Sequence, residues 1–392
     1  MKHLKYLIVG AGMTADAAVR GIRELDSAGS IGLIGSENDP PYARPPLSKA
    51  LWKGKPLAKI WRGTETLGVE MVLGRTAVKL DPQAKLVSDD QGEEYTYEKL
   101  LLATGGTPHR LAFGGGHVIY YRTLRDYERL RALADNGEQF VVIGGGFIGS
   151  EIAAALTMQG RKVTMVIRGR GIGGRIFPTD LVDYLNDYYR QKGVTLLLQD
   201  VPESVKEQGT RLVVLTRGGK TLEADGVVAG LALEPNVDLA KSAGLTVDNG
   251  ILVDRRLQTS APDVYSAGDV AKFPHAALGA VVRVEHEDNA LQMGKQAGRN
   301  MAGANEPYTH TPYFYSDLFE LGYEAVGEFS RRSNTFADWI EPFKQGVIYY
   351  LQNERVRGVL LWNVWEKREQ AAALIAEPGP FTPENLKGRI PA

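Results

Sequence analysis

An α/β chain with two doubly wound parallel sheets and a final α+β portion is the fold the sequence predicts. Three observations carry this. "KYLIVGAGMTADAAVRGIRELDSAGSIGLIGSEN" (Lys5 to Asn38) runs from an apolar strand through a glycine turn and an amphipathic helix into a second apolar strand. "QFVVIGGGFIGSEIAAALTMQGRKVTMVIRG" (Gln139 to Gly169) repeats that order about 130 residues later. From Pro312 onward the pattern changes to aromatic-rich alternation. Continuous apolar strands around an amphipathic helix indicate βαβ units whose sheet is covered on both faces.

The elements follow in order. Between the two units, "EKLLLATGGTP" (Glu98 to Pro108) is a buried strand closing in a glycine turn, and "ADGVVAGLALEPN" (Ala224 to Asn236) has the same form after the second unit. "DVYSAGDVAKF" (Asp263 to Phe273) leads to a long helical run, "EHEDNALQMGKQAGRNMAG" (Glu285 to Gly303). Strands then recur in "YFYSDLFELGYEAVGEF" and "GVIYYLQNERVRGVLLW", before a short helix in "EKREQAAALIA". Trp362 and Trp365 fall there, as core residues or as a wall of a site. No low-complexity or linker-like segment interrupts the chain.

Composition narrows the function. Of 392 residues, 43% are hydrophobic and 24% charged, the profile of a globular protein. The formal net charge of −1 provides no global attraction to nucleic acid or anionic membrane. With no cysteine, disulfides, thiolate metal sites and dithiol relays are excluded, and no metal site is expected. The opening "MKHLKYLIVGAG" is too short for a signal peptide, and no apolar run approaches membrane-spanning length. A cytoplasmic protein is the expectation.

Both glycine turns carry dinucleotide fingerprints. In Gly10-x-Gly12-x-x-Ala15, the first glycine permits a tight turn, the second lets backbone approach a pyrophosphate, and the alanine allows close helix–strand packing. The helix start presents free N–H groups and partial positive charge, and Glu37 follows where a carboxylate accepts from ribose hydroxyls. Gly144-x-Gly146-x-x-Gly149 is the complete form. Its next strand ends not in an acid but in "VIRGRGIGGR", with Arg168, Arg170 and Arg175. Guanidinium groups there suit a 2′-phosphate, which favours NADPH over NADH. Two such sites in one chain imply two nucleotides facing each other, a flavin reduced by a nicotinamide.

The chain is similar to the two-dinucleotide-domain flavoprotein reductases, most closely the apoptosis-inducing factor branch beside the ferredoxin and rubredoxin reductases. The resemblance rests on "PPYARPPLSKALW", "YEKLLLATGGTP", "VVIGGGFIGSEIA", "GLALEPNVDLAKSAGL", "VYSAGDVA", "VRVEHEDNALQMGKQAGRNM", "YSDLFELGYEAVGE" and "GVLLWNV". It implies an FAD-binding domain (1–117 and 246–311) interrupted by an NAD(P)-binding domain (118–245), followed by a C-terminal domain (312–392). It also implies that Arg44 meets the pyrophosphate or flavin edge, that Lys49 sits near flavin N5 with Glu151 as its partner, and that Phe147 shields the flavin ring. Ala103, Thr104, Gly105, Asp269, Glu285, His286 and Tyr315 would complete the FAD site, with Asp269 on the ribityl chain and His286 beside the ring. Gly230 would join the NAD(P) site. Tyr315 stands where that branch carries tryptophan, and Glu287 where it carries a second histidine.

The implied function is an FAD-dependent NAD(P)H oxidoreductase: hydride passes from NAD(P)H to flavin N5, then electrons pass to a ferredoxin- or rubredoxin-like protein, a quinone or a small oxidant. The alternative is a redox-responsive flavoprotein whose charge-transfer complex controls dimerisation or partner binding. A homodimer is compatible with either.

Overall fold

The computed structural model describes residues 1–391, and they fall into two compact units. The first comprises Met1–Ala43, Leu57–Thr107 and Glu234–Tyr313. Its sheet runs Val69–Leu73, Ile31–Gly35, Lys2–Val9, Glu94–Leu102, with Val264–Ser266 also paired to the last of these, all parallel. Leu86–Asp89 and Ala77–Asp81 extend the other half of Glu94–Leu102 in antiparallel fashion. Register decides the site. Val9 pairs with both Ile34 and Leu102, and Leu102 with Ser266. The carboxyl ends of four strands therefore lie side by side, which is where doubly wound sheets bind ligands.

Helices Met13–Leu25 and Glu287–Met301 cover one face of this sheet through a core including Ile8, Val19, Ile22, Leu33, Leu101 and Met293. They touch backbone to backbone. A Cβ on Gly298 would lie 2.0 Å from the Ala18 oxygen, and one on Gly294 2.4 Å from the Thr14 oxygen. Small residues allow that approach.

One charge is buried here. Asp16, in the first turn of its helix, has no exposed surface. It accepts from Arg20 (3.0 Å to each oxygen), Arg62 Nε (2.5 Å) and Thr64 Oγ1 (2.7 Å). Burial pushes its carboxyl pKa up, but these donors together outweigh burial and hold it below the ordinary range.

The second unit comprises Arg44–Pro56, Pro108–Leu233 and the chain from Phe314 onward. Its parallel sheet has the order Thr195–Leu198, Lys162–Ile167, Gln139–Ile143, Gly226–Ala229, Val118–Tyr120. A three-stranded antiparallel sheet (Pro202–Gln208, Arg211–Thr216, Thr221–Ala224) follows. The C-terminal sheet has five strands in the order Tyr313–Leu318, Leu321–Gly327, Arg355–Trp362, Gln345–Gln352, Asn334–Glu341. Helix Arg368–Ala376 lies against it. Trp362 is core: it is fully buried, stacks on Tyr323 at 5.7 Å and donates its indole N–H to the Phe343 oxygen. Trp365 is exposed.

The segment Arg44–Pro56 lies in the second unit, although the expected boundaries put it within 1–117. Its bonds explain this. Trp52 Nε1 and Tyr121 Oη both donate to the Leu47 oxygen, and Gln159 donates to the Trp52 oxygen. Among the described residues, no helix is long and apolar enough to cross a membrane.

Removing the Asp16 carboxylate leaves two guanidinium groups and a hydroxyl without their anion. We expect Asp16→Ala to cost about 3 kcal/mol, read as a drop in the denaturant midpoint. A loss below about 1 kcal/mol would place this network with ordinary surface ion pairs.

Candidate functional site

The two glycine turns are built alike. Gly10 has φ +120°, and a Cβ there would sit 2.1 Å from the Ala103 oxygen. Gly144 has φ +105°, and its Cβ would sit 2.5 Å from the Gly230 oxygen. Each is thus a place where one strand end passes against the end of its sheet neighbour, and glycine tolerates both the angle and the contact. Ala15 is fully buried between helix and sheet, while Gly149 touches the Gly144 oxygen so closely that a Cβ would lie 2.1 Å away.

Gly12 and Gly146 are different. Each is the N-cap of its helix, neither has a side-chain cap, and nothing lies within 4 Å of where a Cβ would be. An uncapped helix start beneath an open glycine offers backbone donors to an anion. Both turns therefore fit a dinucleotide pyrophosphate.

Around the first turn, Glu37 accepts a 2.6 Å hydrogen bond from Tyr42 Oη, which orients the carboxylate at the strand end. Asn236 ties down the Ala103–Gly105 turn: it donates to the Thr104 oxygen, and Thr104 Oγ1 donates back to the Asn236 oxygen, both at 2.8 Å. Gly268, at φ +78°, packs on Thr14 and is followed by Asp269. Arg283 Nη1 donates to the Asp269 oxygen (3.0 Å) and to Glu285 (2.6 Å). His286 is the N-cap of helix Glu287–Met301. Its Nδ1 is out of solvent, and burial lowers the imidazole pKa to about 4, against the opposing pull of Asp269 and Asp288. The ring is neutral at pH 7. Glu285, His286 and Asp269 thus lie in the first unit with Gly10, Gly12 and Glu37.

The second unit holds the other expected residues. Arg168, Arg170 and Arg175 are all exposed after strand Lys162–Ile167. Arg170 is already engaged, with Nε at 3.0 Å and Nη2 at 2.5 Å from the two oxygens of Asp183. Buried Asn186 pins this loop by accepting from Ile172 N and donating to the Arg170 oxygen. Arg44 Nη1 donates to the Arg122 oxygen.

Lys49 and Glu151 come together across 102 residues of sequence. The 3₁₀ turn Pro45–Ser48 packs on helix Phe147–Met158. Lys49 Nζ then lies 2.7 Å from Glu151 Oε2, with side-chain exposures of 12% and 2%. Two serines, unanticipated from sequence, complete the carboxylate's shell: Ser48 Oγ at 2.5 Å from Oε2 and Ser316 Oγ at 2.6 Å from Oε1. Tyr315 presents its ring to the Lys49 ammonium at 5.3 Å. Phe147, the first residue of its helix, rests on Phe314 with ring centroids 4.9 Å apart. Ser48 adjoins a residue the sequence singled out, and Ser316 follows Tyr315. No spacing rule links positions 48, 151 and 316, so only folding could reveal them.

The model for the pyridine nucleotide-disulphide oxidoreductase family matches residues 4–294, and that for the apoptosis-inducing factor, mitochondrion-associated, C-terminal domain matches 297–341 and 328–377. The chain is 34% identical to apoptosis-inducing factor 1, mitochondrial, of Dictyostelium discoideum over 96% of its own length and 79% of that protein's. It is 32% identical to monodehydroascorbate reductase 3 of Arabidopsis thaliana, covering 97% of this chain and 94% of the relative. Among solved structures, the reductase in the covalent putidaredoxin reductase–putidaredoxin complex superposes with a TM-score of 0.90 at 29% identity, over 98% of this chain and 95% of that one.

His286 generates a pH prediction. With a folded pKa of about 4 and an unfolded value near 6.5, the unfolded chain holds the extra proton between those limits. Stability therefore rises with pH across that window and is lost as pH falls through it. We expect His286→Gln to flatten the rise of unfolding free energy with pH, reducing the total gain between pH 4 and 6.5 by an amount on the order of 1–3 kcal/mol. An identical slope in the variant and the parent would contradict the assignment.

Proposed function

The chain belongs to the pyridine nucleotide-disulphide oxidoreductase family, and from that premise we propose that FAD occupies the Gly10 turn and a nicotinamide dinucleotide the Gly144 turn. The protein is an FAD-dependent NAD(P)H oxidoreductase. The observation behind the placement is the doubled turn: two open glycines, each at an uncapped helix start, each behind a strand end that only glycine can form. When bound, FAD supplies the chemistry of accepting hydride and releasing electrons onward.

In this reading the residues divide their work. Gly10, Gly12 and Ala15 shape the pyrophosphate turn for FAD, Glu37 accepts from ribose, and Ala103, Thr104 and Gly105 line the neighbouring strand end. Asp269 would serve the ribityl chain, and Glu285 and His286 the flavin end, with Arg44 and Tyr315 as the further flavin residues this reading assigns. The start of helix Glu287–Met301, which carries roughly half a positive charge, would face the pyrimidine edge. His286, neutral at pH 7, would add no charge beside the ring system. Gly144, Gly146, Gly149 and Gly230 shape the nicotinamide turn. Phe147 shields the reacting face. Lys49, paired with Glu151, would offer its ammonium to the flavin.

The acceptor we propose is a small redox protein. Support comes from the structural relative bound to putidaredoxin, and from the absence of cysteine, which leaves this chain no dithiol to carry electrons onward. A cytoplasmic location goes with that reading. We also read the second unit as two domains, 118–245 and 312–392, because each has its own sheet.

NADPH remains the favoured donor, with its 2′-phosphate resting on Arg168 and Arg175. Arg170 would join them only by leaving Asp183, an exposed pair that solvent screens. Anaerobic titration with NADH or NADPH should bleach the visible flavin bands, and a ferredoxin-type acceptor should restore them quickly. A long-lived long-wavelength band with slow reoxidation would favour the redox-responsive alternative instead. Arg168→Glu with Arg175→Glu should lower the NADPH-to-NADH ratio of kcat/KM about tenfold. An unchanged ratio would dismiss the arginines as phosphate ligands.

A further inference from the structure

Strand Tyr313–Leu318 alternates strictly, with Phe314, Ser316 and Leu318 on its buried face. A serine with no exposed surface between two apolar residues is the exception on that face. A buried hydroxyl without a partner is costly, so its bond is informative. Ser316 Oγ donates to Glu151 Oε1 at 2.6 Å. Ser48 tells the same story from another element. Its hydroxyl has one proton and two oxygens in reach, Glu151 Oε2 at 2.5 Å and the Pro45 oxygen at 3.5 Å, and the shorter contact is the bond.

The consequence lies in how the anion is satisfied. Asp16 is neutralised by two arginines, but Glu151 has one cation and two neutral donors. Both oxygens are held, so the carboxylate plane cannot turn. Lys49 needs to contribute only one N–H. Among the described residues Glu151 is its single hydrogen-bond acceptor, and the Tyr315 ring lies against the same ammonium, so the remaining N–H donors are not spent on other acceptors of the chain.

We propose that Ser48 and Ser316 are positioning residues: they clamp the Glu151 carboxylate so that it holds the Lys49 ammonium at one point, where its remaining donors would serve the flavin. This rests on the assignment of Lys49 to the flavin made above. Loss of either hydroxyl frees one edge of the carboxylate, and the long lysine side chain follows it.

The test uses the FAD-loaded protein and two readings, the flavin midpoint potential by spectroelectrochemistry and the single-turnover rate of reduction by NADPH and NADH. Lys49→Gln sets the reference. Ser48→Ala and Ser316→Ala should each shift the potential in the same direction as Lys49→Gln and slow reduction about tenfold. Nicotinamide Kd should stay within a factor of two of the parent. On a Glu151→Ala background, Ser316→Ala should change neither reading further, because the carboxylate it holds is gone. Should Ser316→Ala fail to fold, Ser48→Ala on its separate element decides the matter alone. If Lys49→Gln moves both readings while the serine variants keep parental values, the serines are only structural and the inference is overturned. If Lys49→Gln itself leaves both unchanged, the flavin assignment of Lys49 is wrong and the inference goes with it.

Discussion

Two places where backbone runs against backbone set the terms for everything else in this molecule. At Gly10 and at Gly144 the chain leaves a central strand with a positive φ and passes the end of a parallel neighbour at a distance no side chain permits. That contact fixes where the following helix starts, and hence where its uncapped N–H groups point. It also leaves the next glycine, Gly12 or Gly146, open on one side. A helix start left open in this way suits a phosphate with no charged side chain required.

Each unit also buries one helix carboxylate, and the contrast is instructive. Asp16 lies one residue beyond Ala15 and Glu151 two beyond Gly149, so both ride in the early turns of the helices that begin at the glycine turns. Asp16 is saturated by Arg20, Arg62 and Thr64 and works as a staple for the segment around residue 62. Glu151 is satisfied more sparingly, and its cation keeps donors to spare. Similar burial of similar groups thus yields a structural anchor in one unit and a poised ammonium in the other. The difference lies in the number of positive charges recruited.

The arginine loop shows how a local pattern is modified by its surroundings. Arg170 stands at the strand end the sequence marks for phosphate recognition, yet Asp183 from the next helix takes its guanidinium in a two-pronged contact. Asn186, one helical turn on, holds the loop backbone from below. A residue that sequence alone presents as a free cation is thus already held by a carboxylate in the folded chain.

Much of this was legible from the chain alone, because the signals are short-range. Strand, glycine turn and helix occupy contiguous residues, so the two glycine turns, the parallel sheets and the aromatic C-terminal strands could be read from periodicity and from glycines at fixed offsets. The pairing of Lys49 with Glu151 came from likeness to a family and not from spacing. Tertiary structure alone decided the rest: the placement of Arg44–Pro56 in the second unit, Trp362 in the core, Tyr42 on Glu37, Arg170 on Asp183, and the two serines on one carboxylate. The physical reason is common to them all. A buried polar group or a large ring is satisfied by whatever the folded chain brings within reach, and that partner leaves no mark in the neighbouring sequence.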